Sequence, residues 1–148
     1  MMQLVTILCP LDFSAASAPL LAYATALASC TGAELRLLHV LEPQLVLSGE
    51  TAALPEPEAQ QLLLQYQAQA AQAGAQRVAT LVRHGEAARE IVREAAEHHA
   101  DLIVIGSHGQ TGLTRFLMGN TAEHVVRCAP CAAILVKPQS DSAFRQSA

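Results

Sequence analysis

Residues 101–126 read DLIVIGSHGQTGLTRFLMGNTAEHVV. Leu102 to Ile105 is an unbroken β-branched and aliphatic run, as expected of a strand buried on both faces. The run stops at Gly106; Gly109, Gly112 and Gly119 follow, and Asn120 to Arg127 has the pattern of a helix. Glycines between a buried strand and a helix start let backbone N–H groups approach a ligand with no Cβ in the way. The helix start adds N–H groups without intrahelical partners and the positive end of a dipole. The same glycines would suit a plain tight turn, but the spacing to Gly119 favours a phosphate cradle, and with it a nucleotide ligand.

Outward from this stretch, strand and helix patterns alternate along the whole chain. Leu4 to Cys9 is the first expected strand, with Pro10 ending its ladder, because proline has no N–H to give. Ala15 to Cys30 follows as a helix with Leu20, Ala24, Leu27 and Ala28 on one stripe, Ser14 or Ser17 as N-cap and Gly32 as its stop. Glu34 to Leu41 is the second strand; Glu42 to Leu54 reads as a mobile loop. Pro55 and Pro57 announce a helix over Glu58 to Ala73, closed by Gly74, and Arg77 to Arg83 is the third strand. Gly85 precedes a helix over Glu86 to His98 with Ala88, Ile91, Val92 and Ala95 towards the sheet, and Ala132 to Val136 is the fifth strand.

This alternation predicts an α/β fold, a doubly wound five-stranded parallel sheet with helices on both faces. Right-handed crossovers and a central first strand give the order 3-2-1-4-5, which is Rossmann-like. The winding then reverses between strands 1 and 4, where ligands bind beyond the carboxyl ends. Those ends carry Pro10-Leu11-Asp12 and Gly106-Ser107-His108-Gly109.

At 148 residues, with 51% hydrophobic and 15% charged residues, the chain reads as one folded domain. No apolar run reaches the ~20 residues that a membrane-spanning helix needs. The opening MMQLVTILCPLD is too short and too uncharged for a signal peptide, so a cytoplasmic location is expected. A net charge of −4, 3% aromatics and no Trp argue against a nucleic-acid surface. No P-loop, nucleophile elbow or H-E-x-x-H occurs, and His39, His84, His98, His99 and His124 have no metal-ligand spacing. Cys128 and Cys131 form a C-x-x-C, but it follows a helix C-terminus, whose dipole favours the neutral thiol. A turn into strand 5 with Cys131 in the core is the expectation there.

The spacing Gly106-x2-Gly109-x9-Gly119 resembles the nucleotide motif G-x2-G-x9-G-(S/T) of the universal stress protein family. Ile7 to Ser14 (ILCPLDFS) looks like that family's first strand and P-x-D loop, Leu37-Leu38-His39-Val40 like its second strand, and 101–106 and 131–136 like its last two. The motif's last position is Asn120, followed by Thr121, and both can donate to a phosphate oxygen. Gly85-Glu86-Ala87 stands where the family often has G-x-P.

The resemblance implies a universal stress protein domain over 1–138 with a flexible C-terminal tail at 139–148, of the adenine nucleotide α hydrolase-like kind. It implies a regulatory homodimer in stress response, paired through Ala132 to Val136, that binds ATP or another adenine nucleotide, with or without Mg²⁺. Asp12, beside Pro10 and Leu11, would lie near the adenine and ribose or hold the metal, and Val40 would line the base pocket. Gly106, Gly109, Gly119, Asn120 and Thr121 would take the phosphates. Two alternatives are a slow Mg-dependent ATPase and a dimeric scaffold that binds no nucleotide.

Several positions carry a second reading. Asp12 also suits an Asx-turn at the strand end. Asn120-x-x-Glu123 also suits a capping box, and Glu123 would repel a triphosphate unless a cation lay between them. Arg115 can clamp phosphates or be a solvated loop residue, and His108 can reach a phosphate or ribose or be a backbone-positioned loop residue.

Overall fold

The sequence's alternation resolves, in a computed structural model that describes residues 3–43, 54–107 and 119–137, into nine elements. They are β1 (Thr6–Pro10), α1 (Ser17–Thr31), β2 (Glu34–Leu41), α2 (Glu56–Gln72), β3 (Val78–His84), α3 (Ala87–Glu97), β4 (Leu102–Gly106), α4 (Asn120–Cys128) and β5 (Ala132–Val136). All strand pairs are parallel and the order is β3-β2-β1-β4-β5, as expected. The loop expected to be mobile at 42–54 and the tail at 139–148 fall largely or wholly outside the described residues.

The strand period of two sorts side chains onto two layers. Ile7, Cys9, Leu35, Leu37, Leu102 and Val104 pack with Leu20, Leu21, Ala24 and Ala28 of α1 and Leu63 and Ala70 of α2. Leu8, Leu38, Ile103 and Ile105 pack with Ala88, Ile91 and Ala95 of α3 and Val125 of α4. Full burial of each large aliphatic side chain stabilises by about 1.5–3 kcal/mol, which is why the central strands admit no polar residue on these positions. Helix α1 stops at Gly32, whose φ of 76° is left-handed and whose N–H donates to the Ala28 carbonyl at 2.9 Å.

The element ends lie within two residues of the expected ones, and those of β2 and β5 coincide with them. Helix α2 starts at Glu56, so Pro57 lies in its first turn, where its missing N–H has no partner to lose. Glu86 is the extended N-cap of α3 rather than a first-turn residue.

Helix α3 buries two carboxylates that the apolar pattern gave no reason to expect. Glu94 is 1% exposed at its side chain; it accepts from Arg83 Nη1 at 2.8 Å, Arg36 Nη2 at 3.3 Å and His98 Nδ1 at 2.6 Å. Glu90 accepts from Arg83 Nε at 2.9 Å. Gly85, at φ 141°, passes over Glu90, and a Cβ there would lie 3.1 Å from Glu90 Cγ. Burial alone would lower the Arg83 pKa, but its hydrogen bonds to Glu94, Glu90 and Glu97 outweigh it and hold the guanidinium above its ordinary value. The network ties α3 to β2 and β3. By contrast α1 carries no charged side chain, and α2 carries none after Glu58.

Removing one partner of a buried pair leaves an uncompensated charge. Arg83→Ala is therefore expected to lower the unfolding free energy by about 3 kcal/mol in urea titration. Arg93→Ala, whose side chain is 54% exposed against Glu90, should change it by less than ~1 kcal/mol.

Candidate functional site

The sheet is closed at one end and open at the other along the β1–β4 seam. At the amino end Asp101 Oδ2 accepts the N–H groups of Val5 and Thr6, each at 2.9 Å, while the Asp101 N–H donates to the Thr6 carbonyl at 2.9 Å. Ile7 then lies opposite Leu102 and Leu8 opposite Ile103, and the ladder ends there. On its other side β1 stays paired with β2 as far as Pro10 opposite Leu38. The Leu11 N–H adds a bond to the Leu38 carbonyl at 2.8 Å.

At the β4 side of the opening, Gly106 lies opposite Val136, and the Ser107 N–H donates to the Val136 carbonyl at 3.0 Å. The Gly119 N–H donates to the Ser107 carbonyl at 2.7 Å, which brings the start of α4 to the end of β4. Gly119 is the extended N-cap of α4. Helix geometry leaves the N–H groups of Asn120, Thr121 and Ala122 without intrahelical acceptors. The side chains of Asn120 and Thr121 are exposed.

The β1 side of the opening is a turn fixed by side chains. Asp12 Oδ1 accepts from the Ser14 N–H at 2.9 Å and from Ser17 Oγ at 3.3 Å. This is the Asx-turn reading of Asp12, and it accounts for one of its oxygens. The expectation of Ser14 or Ser17 as N-cap is corrected: Ala16 holds that place, Ser14 Oγ accepts its N–H at 3.3 Å, and Ser17 begins the helix. Phe13 adopts a left-handed φ of 62°. Its ring stacks on His39 at 4.1 Å between centroids and on Tyr66 at 5.9 Å. Val40 is half-buried against the layer of α3 and α4.

The structure thus places Pro10, Leu11, Asp12, Val40, Gly106, Gly119, Asn120 and Thr121 along the carboxyl edge of the sheet. His108, Gly109 and Arg115 lie outside the described residues, as does Gly112. The capping box does not form. Asn120 is the first helical residue rather than the N-cap, no side chain caps α4, and Glu123 Oε1 accepts from Arg127 Nη2 at 2.8 Å. That pairing directs Glu123 along the helix, so its charge gives no separate argument for a cation. Ser107, His39 and Asp101 act through bonds to backbone groups and Phe13 through ring stacking, and neither kind of contact leaves a residue spacing to read in the sequence.

Among the described residues no group of three or more His, Cys, Asp and Glu side chains is arranged to hold a metal ion. Cys128 and Cys131 are free thiols. Cys131 is only half-buried rather than a core residue, and burial, then the charge of Asp101, raises its pKa. Burial pushes the Cys9 thiol up to about 12.

These features define a Rossmann-like α/β protein whose winding reverses between β1 and β4. Residues 5–137 match the model of the universal stress protein family, and the chain belongs to that family. The chain is 30% identical over 141 residues to universal stress protein YxiE of Bacillus subtilis, covering 86% of this chain and 95% of that one. Universal stress protein MJ0531 of Methanocaldococcus jannaschii is 44% identical over 61 residues, 41% of this chain, and the chain spans 36% of its length. The solved UspA of Lactobacillus plantarum is 25% identical, with a TM-score of 0.78 over 92% of this chain and 99% of that one. An Archaeoglobus fulgidus universal stress protein in complex with dAMP is also 25% identical, with a TM-score of 0.69 over 92% and 100% of the two chains.

Thiol titration at pH 8 should find Cys30 and Cys128, both exposed, reacting fast and Cys9 silent until the chain unfolds. An unfolded Cys9 loses its proton near its ordinary value of 9.0 while the folded one keeps it to about 12. The unfolded state thus binds fewer protons in that window, so the Cys9 contribution makes stability fall as pH rises above 9. Cys9→Ala should flatten that fall in alkaline urea titrations.

Proposed function

We propose that this chain binds an adenine nucleotide in the crevice between β1 and β4, as a regulatory dimeric module of a stress response in the cytoplasm. The observation that carries this reading is the 2.7 Å bond from the Gly119 N–H to the Ser107 carbonyl. It sets the open N–H groups of α4 beside the point where β1 and β4 part. An anion at a helix N-terminus gains about 0.3–1 kcal/mol from the dipole, and up to ~2 when partly buried. The Archaeoglobus fulgidus relative solved with dAMP favours an adenine base.

In this reading Pro10 and Val40 give the base apolar walls, and Leu11, whose side chain is buried in the layer of α1 and α2, takes part through its main chain. Asp12 meets the ribose or a Mg²⁺ ion; Mg²⁺ keeps several waters and needs only one or two carboxylates beside the phosphates. Gly106, Gly109 and Gly119 clear space for phosphate, with Asn120, Thr121, His108 and Arg115 as donors around it. ATP, which the glycine motif suits, is the proposed physiological ligand. Strand β5 lies at the edge of the sheet, and pairing of Ala132 to Val136 with a second copy would cover that edge.

Isothermal titration with AMP, ADP and ATP, with and without Mg²⁺, tests the proposal. Gly109→Val should weaken binding at least about tenfold, equivalent to ~1.4 kcal/mol. Asp12→Ala should reduce the Mg²⁺-dependent part. An absence of heat with all three nucleotides at millimolar concentration would sink the reading, and a monomer by light scattering would sink the dimer.

A further inference from the structure

We infer that His39 is a positioning residue of this site: its Nδ1–H holds the Leu11 carbonyl and so fixes the Leu11–Asp12 peptide that a nucleotide meets. The inference rests on the adenine-nucleotide reading above. Nδ1 of His39 is 2.7 Å from the Leu11 carbonyl oxygen, and the His39 side chain is buried. A carbonyl only accepts, so this ring nitrogen must carry the proton.

The bond stands where the regular ladder gives out. Leu11 N–H still donates to Leu38, the next donor a parallel ladder would bring to the Leu11 carbonyl is the Val40 N–H, and the β1–β2 pairing ends at Pro10 opposite Leu38. The His39 side chain takes that place instead. Both backbone groups of Leu11 are thereby held from β2, one by main chain and one by a side chain. The chain can then leave the sheet at Asp12 without carrying an unpaired buried carbonyl. Two residues on, Phe13 holds a left-handed φ of 62° and stacks on the same imidazole at 4.1 Å. An unfavourable backbone conformation persists only where its surroundings over-determine it, and here the stack and the Asp12 turn do so. His39 thus touches the loop twice, once through its donor and once through its face.

Two substitutions separate these contacts. His39→Phe keeps a ring against Phe13 and loses the donor. His39→Asn loses the ring and keeps an amide N–H at the same distance from Cβ as Nδ1. If the donor positions the loop, AMP affinity should fall about tenfold in His39→Phe, the loss of one buried hydrogen bond. It should return to within about threefold of the parent in His39→Asn, even though that variant is the less stable of the two in urea. AMP binding to His39→Phe as tight as the parent's would overturn the inference, and so would equal losses in both variants. Should His39→Phe fail to fold, long-range ¹H–¹⁵N spectra of the parent decide: a proton on Nδ1 is expected, and a neutral ring protonated only at Nε2 would overturn it. A parent that binds no AMP, ADP or ATP would instead overturn the nucleotide reading itself, whatever the tautomer.

Discussion

The structure depends on how long β1 stays hydrogen-bonded to each neighbour. It follows β2 to Pro10 but leaves β4 after Leu8. Successive residues of a strand turn their backbone groups to alternate sides. Leu11 donates towards β2, and Asp101 donates to Thr6 from the β4 side. By that alternation the N–H that Pro10 lacks would have faced β4, where no ladder remains to need it. Proline is tolerated at this central position because the strands have already parted. The Asp101 carboxylate, accepting two amides at the other end of the seam, keeps the parting one-sided.

The opening made this way is edged by main chain on its β4 side. β4 ends in Gly106, its neighbour Ser107 is tied on both sides through backbone bonds, and α4 begins at once after Gly119. Three side chains act on the β1 side of it through the backbone. Asp12 shapes the turn that contains it, His39 anchors the carbonyl before it, and Phe13 is held between His39 and Tyr66. Such a site is sensitive to any residue that orients a peptide, whether or not that residue could reach a ligand.

Sheet order and layers were legible in the sequence because a doubly wound sheet is specified by coarse signals. These are aliphatic runs such as 102–105, amphipathic helices such as 87–97, and the direction of parallel crossovers. The approximate location of the crevice followed from the same order. The details did not, for identifiable reasons. Asn120 and Glu123 have the right spacing for a capping box, but Gly119 takes the cap and Arg127 takes the carboxylate. Spacing alone cannot rank those competitors. Glu90 and Glu94 look like the polar face of an amphipathic helix, and their burial follows from Arg36 and Arg83 on two other elements. The bond from His39 to Leu11 joins residues distant in sequence and uses a backbone acceptor, which has no letter of its own.

The two helical layers also differ electrically. Helix α3 carries Arg89, Glu90, Arg93, Glu94 and Glu97, whereas α1 carries no charge at all. Ionic strength therefore acts unevenly on this molecule. Dissolved salt screens the half-exposed members on α3, such as Arg93 and Glu97, and reaches the buried Glu94 far less. On the opposite side it finds nothing to screen along α1, so among the described helices α3 responds to salt and α1 does not.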